Sequence, residues 1–296
     1  MSARFGRIVP AMITPFDESG ALDVDMAVTL AKRLIDEGSE GLVLTGTTGE
    51  GPTITDQEDW ELWRTVKESV TVPVIAGAGT NDTAHSIEQV KMAEDCGVDG
   101  VLVVTPYYNR PSQAGIYAHF EAVAGATSLP VMVYDIEART AKNIETPTLV
   151  AMANEISNVL ALKDAAGSPD ETARVVAETG DDFEVYCGDD SLTLPLIAVG
   201  AVGVVSVCAH WTSPEFARMF DACAANDWDV ARAANAAMLD SYDFEGSAEV
   251  PNPIPSKAML RMLGLAVGEP RLPMGPTPDG VEDEAKRLYA DLLSRR

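Results

Sequence analysis

The sequence contains few of the residues that most often bind metals in proteins. Its 296 residues include only three histidines and four cysteines, which are scattered and form neither a C-x-x-C pair nor an H-E-x-x-H motif. Zinc and iron–sulfur sites usually depend on such closely spaced ligands. We therefore expect no metal and no separate cofactor, and we interpret the cysteines as reduced residues in apolar surroundings.

Positive charge is also scarce. Lys and Arg number 21 against 46 Asp and Glu, which gives a formal net charge of −25. Such a surface repels phosphate backbones and anionic lipids, so nucleic-acid and membrane partners are not expected. The sequence has no long uncharged apolar run of the kind that forms a membrane span or a signal peptide, and we expect a cytoplasmic protein.

Eight short apolar runs, rich in β-branched residues, alternate with segments of helical spacing. This alternation predicts an α/β fold with a parallel sheet, and eight such units predict a closed (β/α)8 TIM barrel. We place the catalytic barrel at residues 1–225 and a C-terminal helical appendage at 226–296. The eight predicted strands are Ile8–Thr14, Gly41–Leu44, Pro73–Ala76, Gly100–Val104, Pro130–Tyr134, Val159–Lys163, Phe183–Cys187 and Gly203–Val207.

A doubly wound open sheet is the alternative architecture. Such a sheet usually carries a glycine-rich phosphate loop, and two loops of this sequence are glycine-rich. The segment 77–82 lacks the third glycine of a dinucleotide fingerprint, and the segment 46–51 lacks the lysine of a P-loop. The barrel is therefore the better prediction.

Lys163 is the most informative single residue. It is one of seven lysines and stands at the end of the sixth predicted strand, where active sites of barrel enzymes lie. Removal of an ammonium group from water is costly, which favours the neutral amine that attacks carbonyl groups to form imines. The spacing alone also fits a lysine that only extends from the strand end into solvent.

Other strand ends carry residues suited to an oxo acid. Thr47 and Thr48 lie in a small-residue loop, where backbone N–H groups can approach an anion, although such loops are also common turns. Tyr108 and Tyr134 offer hydroxyls for proton transfer, and Arg139 offers a guanidinium for a carboxylate. Each could instead be a packing residue or a surface charge.

These residues occur in an order that resembles the pyruvate-dependent class I aldolases of the dihydrodipicolinate synthase and N-acetylneuraminate lyase superfamily. The resemblance extends over nearly the whole chain. It depends on residues 11–16, 46–50, 105–111, Tyr134 with Arg139 and Thr140, Leu162-Lys163-Asp164, Gly188-Asp189-Asp190 and 203–207.

The resemblance implies a role for each matching residue. Lys163 would form the imine with pyruvate, and Tyr134 would be the general acid and base. Thr47 would link Tyr134 to Tyr108 of a neighbouring subunit in a proton relay, which implies a homo-oligomer, typically a tetramer of two tight dimers. Thr48 would hold the pyruvate carboxylate. The remaining substrate-binding residues would be Arg139, Gly188 and Val205.

The double threonine and Arg139 are similar to the synthase branch of the superfamily. The implied reaction joins pyruvate and L-aspartate-4-semialdehyde into 4-hydroxy-tetrahydrodipicolinate, on the route to diaminopimelate and lysine. The alternative partner is a sialic acid or a 2-keto-3-deoxy sugar acid, and a non-catalytic oxo-acid-binding relative is a third hypothesis.

The sequence departs from the family pattern at several places, including Gly51, where serine is common. Glu137 stands where proline is usual, and its carboxylate could compete for the guanidinium of Arg139. Asp56, Asp59 and His85 stand where lysine-inhibited members often carry two histidines and a glutamate. We therefore expect weak or absent inhibition by lysine.

Overall fold

The computed structural model describes residues 3–296. Eight strands, all parallel to their neighbours, confirm the predicted barrel. The strands are β1 Ile8–Pro10, β2 Leu42–Leu44, β3 Val74–Gly77, β4 Gly100–Val104, β5 Val131–Asp135, β6 Val159–Asp164, β7 Glu184–Cys187 and β8 Gly203–Ser206.

The barrel closes between its first two strands. The order around the sheet is β1-β8-β7-β6-β5-β4-β3-β2. A single parallel bridge from Ala11 to Val43 joins the two ends, and Met12 N donates to Val43 O over 2.9 Å. The first strand is therefore shorter than the predicted run Ile8–Thr14, because the chain leaves β8 soon after Pro10 to reach β2.

Helices surround the barrel between successive strands. They are α1 Val24–Asp36, α2 Asp56–Ser69, α3 Thr83–Asp95, α4 Gln113–Ala124, α5 Glu137–Thr140, α6 Thr146–Glu155, α7 Pro169–Glu178, α8 Thr193–Ala198 and α9 Ala209–Ala224. Local sequence explains several starts: Thr55 and Glu58 form a reciprocal capping box at α2, and Pro147 and Pro169 occupy first-turn positions of α6 and α7.

Strand side chains alternate between two apolar layers. One set fills the barrel interior, with Met132, Ala161 and Val205 among its members. The other set packs outward against the helices and includes Val133 and Leu162. This period-two pattern decides which strand residues reach the mouth of the barrel and which face the helices.

Three further helices follow the barrel, α10 Trp228–Glu245, α11 Ile254–Met262 and α12 Val281–Ser294. The boundary predicted at residue 225 falls between α9 and α10. The division of the chain into a catalytic barrel and a C-terminal helical region stays a prediction. Within residues 3–296, no helix combines the length and apolarity needed to cross a membrane.

Candidate active site

Lys163 and Tyr134 lie side by side at the mouth of the barrel. They are paired residues of the neighbouring strands β6 and β5, and both side chains are almost fully buried. Lys163 Nζ lies 4.2 Å from the centroid of the Tyr134 ring. The aromatic face attracts a cation at this distance, and the phenol is therefore placed close to any group bonded to the amine.

Gly188, after β7, leaves the space that the lysine side chain occupies. A Cβ atom at this position would lie 2.9 Å from Lys163 Cγ and 3.1 Å from Lys163 Cε. The first distance is shorter than real Cβ contacts, and the second is shorter than nearly all of them. Glycine is thus required here for close approach rather than for an unusual backbone conformation.

A cavity of about 500 Å³ opens above the lysine. Its lining includes most of the predicted site residues and two acidic groups that were not predicted as site residues, Asp189 and Glu245. The lining residues used below are Thr47, Thr48, Tyr134, Arg139, Lys163, Gly188, Asp189, Glu245 and Asn252. This volume suits a small ligand whose orientation is fixed by a few polar groups.

A second cavity of about 280 Å³ lies on the other side of Thr47 and Tyr134. Thr47, Tyr134, Ile136 and Arg139 line both cavities. The second cavity also contains Tyr107 and the buried side chain of Asp59. Burial raises the pKa of Asp59 to about 7, with smaller raising effects from Asp56 and Glu58.

The loop after β2 is held rigidly. Thr14 Oγ1 donates to Gly49 O over 2.6 Å, and a Cβ atom on Gly49 would lie 2.8 Å from Thr45 Cα. Thr48 is buried, and its Oγ1 accepts a hydrogen bond of 2.8 Å from Asn252 Nδ2. The loop therefore presents Thr47 and Thr48 from a fixed backbone.

Glu50 anchors the same loop to the C-terminal helical region. Its Oε1 lies 2.7 Å from Lys257 Nζ, both side chains are fully buried, and its Oε2 accepts from Arg271 N over 2.7 Å. Burial lowers the pKa of Lys257 to about 8, although Glu50 acts in the opposite direction. Sequence reasoning missed this contact, because residues 207 positions apart give no local signal.

Glu245 adds an acidic group to the cavity from the end of α10. Burial raises its pKa well above the ordinary range, and the carboxylates of Asp190 and Asp189 act in the same direction. The positive charges of Lys163 and Arg139 oppose this shift. The guanidinium of Arg139 and the carboxyl groups of Asp189 and Glu245 are therefore close enough at the cavity to influence one another's charge.

Two predicted site residues lie outside these cavity linings. Tyr108 is 90% exposed and has a φ angle of +70°, and it lines neither cavity. Val205 is buried in the barrel interior, in the same apolar cluster as Tyr134, whereas Val207 lines the larger cavity. The substrate role of Val205 stays a prediction.

Glu137 does not pair with Arg139 within residues 3–296, although both are exposed on α5. Glu137 occupies the first position of this short helix. Proline and acidic residues are both favoured in a first helical turn, so a glutamate here preserves the local backbone. Arg139 remains at the rim of both cavities.

Known proteins resemble the chain over nearly its full length. The model of the dihydrodipicolinate synthetase family matches residues 4–292. The chain belongs to this family. The 4-hydroxy-tetrahydrodipicolinate synthase of Moorella thermoacetica is 46% identical over 96% of this chain and 98% of that protein.

Solved structures of the family agree with this assignment. The enzyme of Cyanidioschyzon merolae, determined with lysine bound, has a TM-score of 0.95 and 40% identity over 98% of this chain and 99% of that one. A dihydrodipicolinate synthase variant described as monomeric has a TM-score of 0.93 and 32% identity, and covers 98% and 97% of the two chains. The family fold is therefore present from the first strand to the C-terminal helices.

Proposed function

We propose that the protein is a Schiff-base lyase that condenses pyruvate with L-aspartate-4-semialdehyde to give 4-hydroxy-tetrahydrodipicolinate. The observation that carries the proposal is the contact between Lys163 Nζ and the Tyr134 ring inside a cavity at the carboxyl ends of the strands. The family relationship supports the same reaction, because relatives that are 43–46% identical bear this name.

The chemistry begins with the amine of Lys163. The neutral amine attacks the ketone of pyruvate, and loss of water gives an imine. The protonated imine accepts electrons and acidifies the methyl group, so that loss of a proton gives an enamine. The enamine carbon attacks the aldehyde, and Tyr134 supplies a proton to the new alkoxide. The amine of the second substrate then attacks the imine carbon, closes the ring and releases Lys163.

Lys163 is a better candidate for imine formation than Lys257, the other buried lysine. Lys257 is held by the buried carboxylate of Glu50 and lines neither cavity. Lys163 lines the larger cavity and makes no ion pair within residues 3–296. Of these two buried lysines, only Lys163 presents its amine to a cavity and lacks a carboxylate partner.

The polar groups of the cavity suit the two substrates. Thr48 would hold the pyruvate carboxylate, and the guanidinium of Arg139 at the rim would receive the carboxylate of the aldehyde. Thr47 borders both cavities beside Tyr134, which supports its place in a proton relay. No separate cofactor enters this mechanism, because the imine itself is the electron sink.

The exposed Tyr108 supports a homo-oligomer in which this side chain enters the site of a neighbouring subunit. The ring of Tyr108 is exposed and its backbone has a φ angle of +70°, a conformation that costs free energy in a non-glycine residue and clusters at functional positions. We propose a cytoplasmic tetramer of two tight dimers. Size exclusion with light scattering checks the assembly, and an active monomer would rule out the intersubunit role of Tyr108.

Borohydride reduction in the presence of pyruvate tests the imine. We expect the intact mass to rise by the mass of pyruvate less water plus two hydrogens, with the adduct on the peptide that contains Lys163. Lys163→Ala should abolish trapping, whereas Lys286→Ala, a change at an exposed lysine of α12, should not. Turnover of aspartate semialdehyde by the same preparation then tests the second substrate.

The outcomes separate the alternatives. Trapping without turnover would keep the pyruvate chemistry and favour a sialic acid or a 2-keto-3-deoxy sugar acid as the cleaved substrate. Absence of trapping would favour a non-catalytic oxo-acid-binding protein.

A further inference from the structure

Asn252 connects the C-terminal region to the threonine that we place on the pyruvate carboxylate. It lies in the loop before α11, is buried and borders the cavity above Lys163. Its Nδ2 atom donates to Thr48 Oγ1 over 2.8 Å. Ser256 Oγ donates to the amide oxygen of Asn252 over 3.2 Å, which fixes the orientation of the amide.

This contact determines which way the threonine hydroxyl can donate. An amide N–H cannot accept a hydrogen bond, so it occupies a lone pair of Thr48 Oγ1 and leaves the hydroxyl hydrogen free. No acceptor for that hydrogen is found within residues 3–296. Thr48 lines the cavity, and its hydrogen is therefore available to an anionic ligand there.

The loop backbone does not depend on Asn252. Thr14 holds Gly49 O, and Lys257 and Arg271 hold the carboxylate of Glu50. These contacts hold the two residues that directly follow Thr48 on the same loop. Removal of the Asn252 amide is therefore expected to change the direction of one hydroxyl rather than the course of the chain.

We propose that Asn252 is a positioning residue that directs the Thr48 hydroxyl to the carboxylate of the keto acid. This inference rests on the proposed function, since it assumes that the cavity binds pyruvate at Lys163. The amide acts through Thr48, and its effect should therefore depend on a carboxylate in the ligand and on the hydroxyl of residue 48.

Asn252→Asp is the sharpest variant, because it keeps the shape and reverses the hydrogen bond. A carboxylate only accepts, so it would draw the Thr48 hydrogen away from the cavity. We expect the pyruvate concentration for half-maximal borohydride trapping to rise about 10-fold to 100-fold, the range for loss of one hydrogen bond to a charged group. Asn154→Asp makes the same chemical change on the exposed surface of α6 and should have no effect.

Two comparisons exclude a merely structural effect, and the second uses Asn252→Ala, which introduces no charge that could repel the keto acid directly. Acetone lacks a carboxylate, so its trapping at Lys163 should be nearly unchanged in the Asn252 variants. In a Thr48→Val background, Asn252→Ala should produce less than about a 2-fold further change, because the hydroxyl that it positions is already absent. Thermal unfolding of each variant reports whether the fold is retained.

The results distinguish failure of the inference from failure of the proposed function. If the wild-type protein is not trapped with pyruvate, the proposed function fails and the inference falls with it. If the wild type is trapped but Asn252→Asp keeps its pyruvate half-saturation, the inference alone is wrong. Equal weakening with pyruvate and acetone, or additive effects of the Thr48 and Asn252 changes, would also overturn it.

Discussion

Lys163 faces Tyr134 because β6 contains one more residue than β5 over the same length of barrel. Val131 pairs with Val159, but Met132 pairs with Ala161, so Leu160 is an extra residue in the ladder. Without this shift Tyr134 would pair with Leu162, whose side chain packs outward against the helices. A register change of one residue reverses the side to which a strand side chain points, and the bulge therefore brings the amine and the phenol together.

Replacement of Tyr134 by phenylalanine should separate imine formation from turnover. The ring beside Lys163 remains, so pyruvate trapping should persist, whereas loss of the hydroxyl should lower kcat about 10²-fold to 10⁴-fold. Trapping mass spectrometry and the coupled assay measure the two steps. Wild-type turnover by Tyr134→Phe would remove the acid–base assignment.

Gly188→Ala should disable the site by displacing the lysine side chain. The new methyl group would meet Lys163 Cγ at 2.9 Å, and a shift of about 1 Å in a catalytic group can cost roughly 10²-fold in rate. Gly180→Ala is a matched control, since nothing lies within 4 Å of its added methyl group. Equal activity of the two variants would show that the close contact is unimportant.

Asp135 should make the stability of the protein depend on pH. Burial raises its pKa to about 7, and Asp164, its pair on β6, acts in the same direction. Between an unfolded value of 3.8 and about 7, the folded state keeps a proton that the unfolded chain releases, so the free energy of unfolding falls as pH rises.

The variant Asp135→Asn loses this dependence. Its melting temperature relative to wild type should therefore increase as pH rises from about 4 to about 7, and remain level above that range. The exposed change Asp181→Asn provides the comparison. A difference between Asp135→Asn and wild type that is independent of pH would contradict the shifted pKa.

Loss of one partner of the buried Glu50–Lys257 pair should be strongly destabilising. Lys257→Met leaves the carboxylate of Glu50 buried without its cation, which typically costs about 3–5 kcal/mol in the free energy of unfolding. The double variant Glu50→Gln and Lys257→Met should recover part of this loss. Urea unfolding measures both.

The exposed pair of Arg64 and Glu68 on α2 gives the matched comparison. Arg64→Ala should cost far less, because water screens such a pair. A similar cost for Lys257→Met would mean that the buried pair does not anchor the loop.

Lysine should inhibit the enzyme weakly or not at all. Asp56 pairs with His85 over 3.0 Å, and the carboxyl of Asp59 is buried in the second cavity. The negative charge of Asp56 disfavours the carboxylate of a lysine ligand beside it. Initial rates with increasing lysine test this, and inhibition at micromolar concentrations would contradict it.

Much of the architecture could be predicted from local patterns. The apolar runs locate all eight strands, since a strand buried on both faces must be apolar along most of its length. The positions of Lys163, Gly188 and the threonine loop follow from the rule that strand ends meet at one face of a barrel. The short length of β1 could not be predicted. It depends on how β1 pairs with β8 and β2 when the barrel closes, and these strands are distant or separate in sequence.

The sequence by itself determined the alternation of strand and helix, the family and most of the residues that reach the barrel mouth. Only the tertiary structure decided that Lys163 lies beside Tyr134, that Asn252 donates to Thr48 and that Lys257 neutralises Glu50. Periodicity reports which face a residue occupies, because it is a property of neighbours along the chain. Contacts between residues far apart in sequence depend on register and packing, which no local pattern contains.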